Sequence, residues 1–171
     1  MAPGFERERS AVGAAILRCW RLPEAVIERV ALLVQQHLRP GQVASPGQPP
    51  TARALHRFHR ALGDATPDVC LLFLADSLAT AGAEALLPRW PAYVAHVRRI
   101  AGWQPPPAAA RLRRLVDGHA VMRTTGLPPG PAVGRALAAI EEAASAGEVR
   151  SPREALRLAI RLAAEERRGE G

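Results

Sequence analysis

The chain has 171 residues, 48% of them hydrophobic, and a formal charge of +7, which is enough for one sizeable core, or one domain with a small appendage. It contains no uncharged apolar run of about 18 residues, so no membrane-spanning helix and no membrane partner are expected. The polar stretch Met1–Arg9 has no signal-peptide apolar core, so a cytoplasmic protein is expected.

Every segment reads as helical. None alternates apolar and polar residues over strand length, so the predicted class is all-α. Glu6–Trp20 is an Ala-rich helix. Pro23–Leu38 opens with proline and places Val26, Val30, Val34 and His37 on one face. Residues 39–50, rich in Pro and Gly, read as a loop. Thr51 caps a helix to about Leu62, in which Arg53 and Arg57 stand at i, i+4 beside His56 and Arg60; the pair could grip a phosphate. Thr66-Pro67-Asp68 starts a helix to about Thr80 that is apolar almost all round and therefore central. Trp90–Ala101 follows, and Arg98-Arg99 close it. Cys19 and Cys70 both lie in apolar helical contexts and read as buried thiols, not as a disulfide.

Pro105-Pro106-Pro107 marks the expected boundary between domains 1–104 and 105–171. Beyond it the punctuation is strict. Gly126 can take the left-handed cap that ends a short helix. Gly130 precedes Pro131, which suits the first turn of the next helix. Gly147 ends that helix, and Ser151 with Glu154 makes a capping box around Pro152. In the last helix Leu156, Ala159, Ile160 and Ala163 form the expected core face, and Arg153, Arg157 and Arg161 run along another.

The basic charge is arginine alone. An absence of lysine reflects base composition as readily as function, so location carries the weight. Residues 1–97 hold ten Arg against eight acids, residues 98–135 seven Arg against Asp117 alone, and residues 136–171 six Arg against seven acids, giving +2, +6 and −1. Arg98, Arg99, Arg111, Arg113, Arg114, Arg123 and Arg135 are therefore the candidate RNA-binding residues. Gly130, at a helix start with free N–H groups, joins Arg53 and Arg57 as a candidate phosphate contact. Few aromatics accompany these arginines, which favours recognition of a folded RNA by shape and backbone over base stacking.

Asp76 sits inside the most apolar helix, and a buried carboxylate needs a partner. His37, on the apolar face of its own helix, is the best candidate for it. Two such ligands do not hold a divalent ion well, so neither a metal site nor a cofactor is expected. The chain also has no Walker loop, no His-Glu-x-x-His and no Gly-x-Ser-x-Gly motif.

Two stretches carry a family resemblance. Leu115-Val116-Asp117-Gly118-His119-Ala120-Val121-Met122, Gly126-Leu127-Pro128-Pro129-Gly130-Pro131, Gly147 and the Ser151–Leu156 capping region resemble the C-terminal part of CCA-adding tRNA nucleotidyltransferases and their poly(A) polymerase relatives. Arg21-Leu22-Pro23, Leu32–Pro40, Thr51–Phe58 and Leu74–Ala79 resemble the second half of an HD-type phosphohydrolase domain, which many of those enzymes carry. The resemblance implies a helical bundle of HD type, truncated, followed by a small tRNA-contacting helical domain. It implies tRNA or another structured RNA as partner, and a separate nucleotidyltransferase head to supply catalysis. It also makes His37 and Asp76 relict metal candidates, since the family's His-Asp dipeptide occurs nowhere in the chain. The rival readings are a helical protein–protein adaptor and a relict phosphohydrolase domain.

Overall fold

The computed structural model describes residues 5–169. The regular elements among them are helices and single 3₁₀ turns, with no strand, so the chain is all-α. It forms two units. One comprises the described residues up to Thr51 together with Phe58–Trp103; the other comprises Ala52–Arg57 together with the described residues from Gln104 onward.

In the first unit α1 (Phe5–Cys19) packs along α2 (Glu24–Gln36). The Ser10 hydroxyl donates to the Ala31 carbonyl at 2.8 Å, which fixes which side of α1 faces α2. The turn between them is set by Arg21, at φ 58° the one non-glycine residue with positive φ among the described residues. Its N–H reaches the Arg18 carbonyl, and the Leu22 N–H reaches that of Leu17, the hydrogen-bond pattern that ends a helix on a left-handed residue. A side chain there costs about 1–2 kcal/mol that glycine avoids, less the entropy glycine adds to the unfolded chain. Arg21→Gly is therefore expected to raise stability by about 0.5–1 kcal/mol, read by urea unfolding.

The helix expected to be central is α5 (Thr66–Ala81). It packs against α2, α3 (Arg39–Val43), α6 (Ala83–Leu86) and α7 (Trp90–Ala101), and buries Val69, Cys70 and Phe73. Burial pushes the Cys70 thiol up to about 11. Cys19, expected to be buried, is exposed. The 39–50 stretch is not wholly loop: its start forms α3, with Pro40 buried in the first turn, where a missing N–H is harmless. The Pro40 carbonyl accepts from His96 Nε2 at 2.8 Å, and a Cβ on Gly41 would meet the Phe73 ring at 3.0 Å, so glycine permits this close approach. On α2 the buried residue is Ile27, while Val26 is exposed; the valine face read from periodicity is displaced by about one residue.

The helix α4 (Ala52–Leu62) supplies residues to both units, Ala52–Arg57 to the second and Phe58–Leu62 to the first. The second unit otherwise contains α8 (Pro107–Leu115), α9 (Gly118–Thr125), α10 (Pro131–Ser145) and α11 (Pro152–Gly169). The expected punctuation is in place. Gly126 adopts φ 73°, and its N–H caps the Met122 carbonyl at 2.9 Å. Gly147, at φ 76°, ends α10 as its neighbour Glu148 donates back to the Ala143 carbonyl. Ser151 Oγ accepts from the Glu154 N–H at 3.3 Å, and Glu154 returns the contact to the Arg150 N–H at 2.7 Å, one residue before the usual partner. A further cap, Asp117 accepting from the Ala120 N–H at 2.7 Å, starts α9. The core gathers Leu112, Val116, Val121, Val133, Ala136 and Ile140 against Ala155 and Ala159. Ile160, expected in the core, is exposed, because α11 turns its alanines Ala155, Ala159 and Ala163 inward where backbones approach closely.

Candidate nucleic-acid interface

Arg53 and Arg57, read as a phosphate grip, are committed to carboxylates within the second unit. Arg53 holds Glu148 with two nitrogens: Nε donates to Oε1 at 2.8 Å and Nη2 to Oε2. Its Nη1 reaches Glu142 at 3.2 Å, and Arg57 holds both oxygens of Glu142 at 3.0 and 2.6 Å. Two guanidinium groups and two carboxylates balance in charge within this cluster. The Arg57 guanidinium, with help from Arg53, holds the Glu142 carboxyl below the usual carboxylate range, although partial burial pushes the other way. Arg53 does the same to Glu148.

The arginine-rich segment divides in the same manner. Arg113 pairs with Glu141 at 3.2 Å, and Arg135 pairs with Glu166 at 2.6 Å. Both guanidinium groups are exposed, so the pairs are weak, but each carries a local neutralising charge. Arg98, Arg99, Arg111, Arg114 and Arg123 are exposed and make no hydrogen bond or ion pair with other described residues. Arg98 and Arg99 belong to the first unit, at the end of α7; the other three belong to the second.

Two clefts of the second unit show how its arginines group. Arg113 and Arg114 line one, with His56, Ala109, Glu141 and Ser145. Arg111 lines another, where α8 meets the start of α11, and there it faces Arg150 and Ser151. Arg150 was not among the candidates read from sequence. Its Nε donates to the Gly147 carbonyl at 2.9 Å, which holds the side chain at the mouth of this cleft. The one signal for it was its position just before the capping box. Gly130 is exposed at the start of α10, and a Cβ there would meet no neighbouring atom within 4 Å.

The expected His37–Asp76 pair does not form. His37 Nδ1 donates to the Val34 carbonyl of its own helix at 2.7 Å. Asp76 is half-buried, and its carboxylate makes no hydrogen bond or ion pair with other described residues. Its position one turn past Phe73 leaves it near the rim of the core, so it needs no buried partner. Among the described residues no group of three or more His, Cys, Asp or Glu side chains comes together. The relict candidates therefore do not fit a metal site of the kind the HD resemblance implies. Among the described residues no single helix is long and apolar enough to cross a membrane.

Comparison with known proteins gives two relatives. The chain is 36% identical over 163 residues to the A-adding tRNA nucleotidyltransferase of Deinococcus radiodurans, covering 95% of this chain and 36% of that protein. It is 38% identical over 148 residues to the CC-adding tRNA nucleotidyltransferase of Thermus thermophilus, covering 84% of this chain and 31% of that protein. The chain thus spans about a third of the length of these curated relatives. No family profile and no solved structure matches it.

Proposed function

Because the chain belongs to the CCA-adding tRNA nucleotidyltransferase family, matching its C-terminal part, we propose that these residues hold the body of a tRNA while catalysis is supplied by a nucleotidyltransferase head outside them. The first unit is read as an HD-type helical domain and the second as the tRNA-contacting domain. The observation that carries this reading is the set of arginines on the second unit that are exposed with no carboxylate bonded to them: Arg111, Arg114 and Arg123, the last acting on the Asp117 carboxylate through its charge alone, together with Arg153, Arg157 and Arg161 along α11. Phosphates would complete them, with displaced counterions supplying the driving force. Arg150 joins Arg111 at one cleft and extends the surface. Arg113 and Arg135 contribute less, since each must loosen a carboxylate to reach a phosphate. Arg98, Arg99 and Gly130 are secondary contacts. No motif for the two-metal chemistry of nucleotidyl transfer occurs in the 171 residues, so the chain by itself is expected to bind and not to react.

Binding of tRNA and of an unstructured RNA of equal length, compared by anisotropy at near-physiological salt, tests the proposal. A folded-RNA binder prefers tRNA. Equal affinities for the two would mean diffuse attraction to a basic protein. No binding of either would leave the adaptor reading in place.

A further inference from the structure

The cleft where α8 meets the start of α11 has a lining that phosphate contacts alone do not require. Its volume is about 530 Å³, within the ~300–1,000 Å³ of small-molecule sites. Arg111, Arg150 and Ser151 supply its polar lining, and Pro107, Leu115 and Pro152 its apolar one. No acidic side chain lines it. Glu154, the carboxylate in the first turn of α11, is bonded to the Arg150 N–H at 2.7 Å as part of the capping box. The first turns of both helices border the cleft, so the positive ends of two helix dipoles add to the two guanidinium groups. Arg111 is exposed with no carboxylate bonded to it, and Arg150 is held in place by the Gly147 carbonyl. Beside them Leu115, the last residue of α8, is 52% exposed, a large aliphatic side chain left in water next to concentrated positive charge.

A bare phosphate uses the charge of this cleft and leaves Leu115 and the prolines in water. A nucleotide uses both. Its phosphate accepts from guanidinium N–H groups, whose fork matches phosphate oxygens. No aromatic side chain lines the cleft, so the base rests its face on the apolar side chains and on the plane of a guanidinium. A base paired in a duplex has that face covered by its neighbours, whereas a free nucleotide or an unpaired residue of an RNA presents it. We propose that the cleft between α8 and α11 binds a single nucleoside 5′-monophosphate unit, free or as an unpaired residue of an RNA, with its phosphate on Arg111 and Arg150 and its base against Leu115 and the flanking prolines. The site lies wholly within the second unit, and its affinity for a free nucleotide does not depend on whether the chain holds tRNA.

The test titrates the intact, isotope-labelled chain with AMP, CMP, ribose 5-phosphate and inorganic phosphate, followed by NMR of the backbone amides. AMP and CMP are expected to shift the amides of Arg111, Leu115 and Ser151 saturably. They should bind about tenfold more tightly than ribose 5-phosphate, the increment that a stacked base supplies. Leu115→Ser should bring both nucleotides down to the level of ribose 5-phosphate, while Arg111→Gln weakens all four compounds. Leu71→Ser, at an exposed leucine of α5 in the first unit, should change none of them. The substituted positions are exposed, and unchanged helix content by circular dichroism confirms that each variant folds. No saturable shift of these amides by nucleotide overturns the proposal. So does equal binding of AMP, ribose 5-phosphate and inorganic phosphate by the parent chain, which would reduce the cleft to an anion site. Titrations of tRNA into the parent and Leu115→Ser separate the two sources of nucleotide. An RNA residue in the cleft predicts that Leu115→Ser lowers tRNA affinity about tenfold with the salt slope unchanged, since an apolar contact displaces no counterions. A free nucleotide predicts equal tRNA affinities. Nucleotide binding by a parent chain that binds no tRNA sinks the tRNA-holding reading alone and assigns the cleft to a free nucleotide.

Discussion

Replacing Arg111, Arg114 and Arg123 together by glutamine is expected to weaken tRNA binding about 100-fold at 0.15 M salt. The size follows from counterion release. Each phosphate neutralised contributes about one unit to the slope of log affinity against log salt. Three lost contacts flatten the slope by up to ~3 units, and at 0.15 M that amounts to about two orders of magnitude. The arithmetic applies to these three because no carboxylate is bonded to them, whereas Arg113 and Arg135 begin from an ion pair. Glutamine keeps the stem of each side chain, so the exposed faces of α8 and α9 remain intact, and thermal melts of the variant should be unchanged. A variant with full affinity and an unchanged slope places the RNA elsewhere on the protein.

Glu142→Gln is expected to destabilise the chain by about 2 kcal/mol at neutral pH. The carboxylate is the hub of the Arg53–Arg57 cluster and, at 17% exposure, the least exposed member of it. Its removal leaves Arg57 without a bonded carboxylate, while Arg53 keeps Glu148. The pH dependence has a definite sign. The carboxyl is held below its ordinary value of 4.5 in the folded chain, chiefly by the hydrogen bond from Arg57. A depressed carboxylate contributes its full stability above its unfolded value and loses it as pH falls through the folded one. Urea unfolding of the parent should therefore show this contribution at pH 7 and its decline below about pH 4.5, and the Gln variant should lack that decline. Equal stability of the two proteins at pH 7 would mean that solvent screens the cluster into irrelevance.

What could be read in the sequence is what local chemistry decides. Gly126, Gly147 and the Ser151–Glu154 box stand where they were expected, because a cap depends on residues within one turn of it. The all-α class rested in the same way on short-range periodicity. What long-range packing decides could not be read. Arg53 meets Glu148 across 95 positions, so nothing near Arg53 announced that its charge was spent. Ile160 looked like core by size, yet α11 packs through smaller Ala155 and Ala159, since close helix approach excludes the larger side chain. Asp76 was placed in the core by the apolarity of its neighbours, but a helix in a small unit keeps one edge wet. The α3 turn was hidden by Pro40-Gly41, a pair that reads as loop until His96 and Phe73 close on it. For the interface, the arginine-rich segment located the charge, and the packed structure was needed to sort bonded arginines from available ones and to bring Arg150 beside Arg111.

The account is tested most directly by titrating tRNA, at several salt concentrations, into three proteins: the parent, the Arg111/Arg114/Arg123 glutamine variant, and a variant with Arg7, Arg9 and Arg18 changed to glutamine. The second and third lose the same formal charge. A tRNA-holding second unit predicts a strong loss and a flattened salt slope for the second protein alone, with the third close to the parent. Equal losses from both variants would contradict it, because only a diffuse basic charge responds to the number of arginines and not to their place.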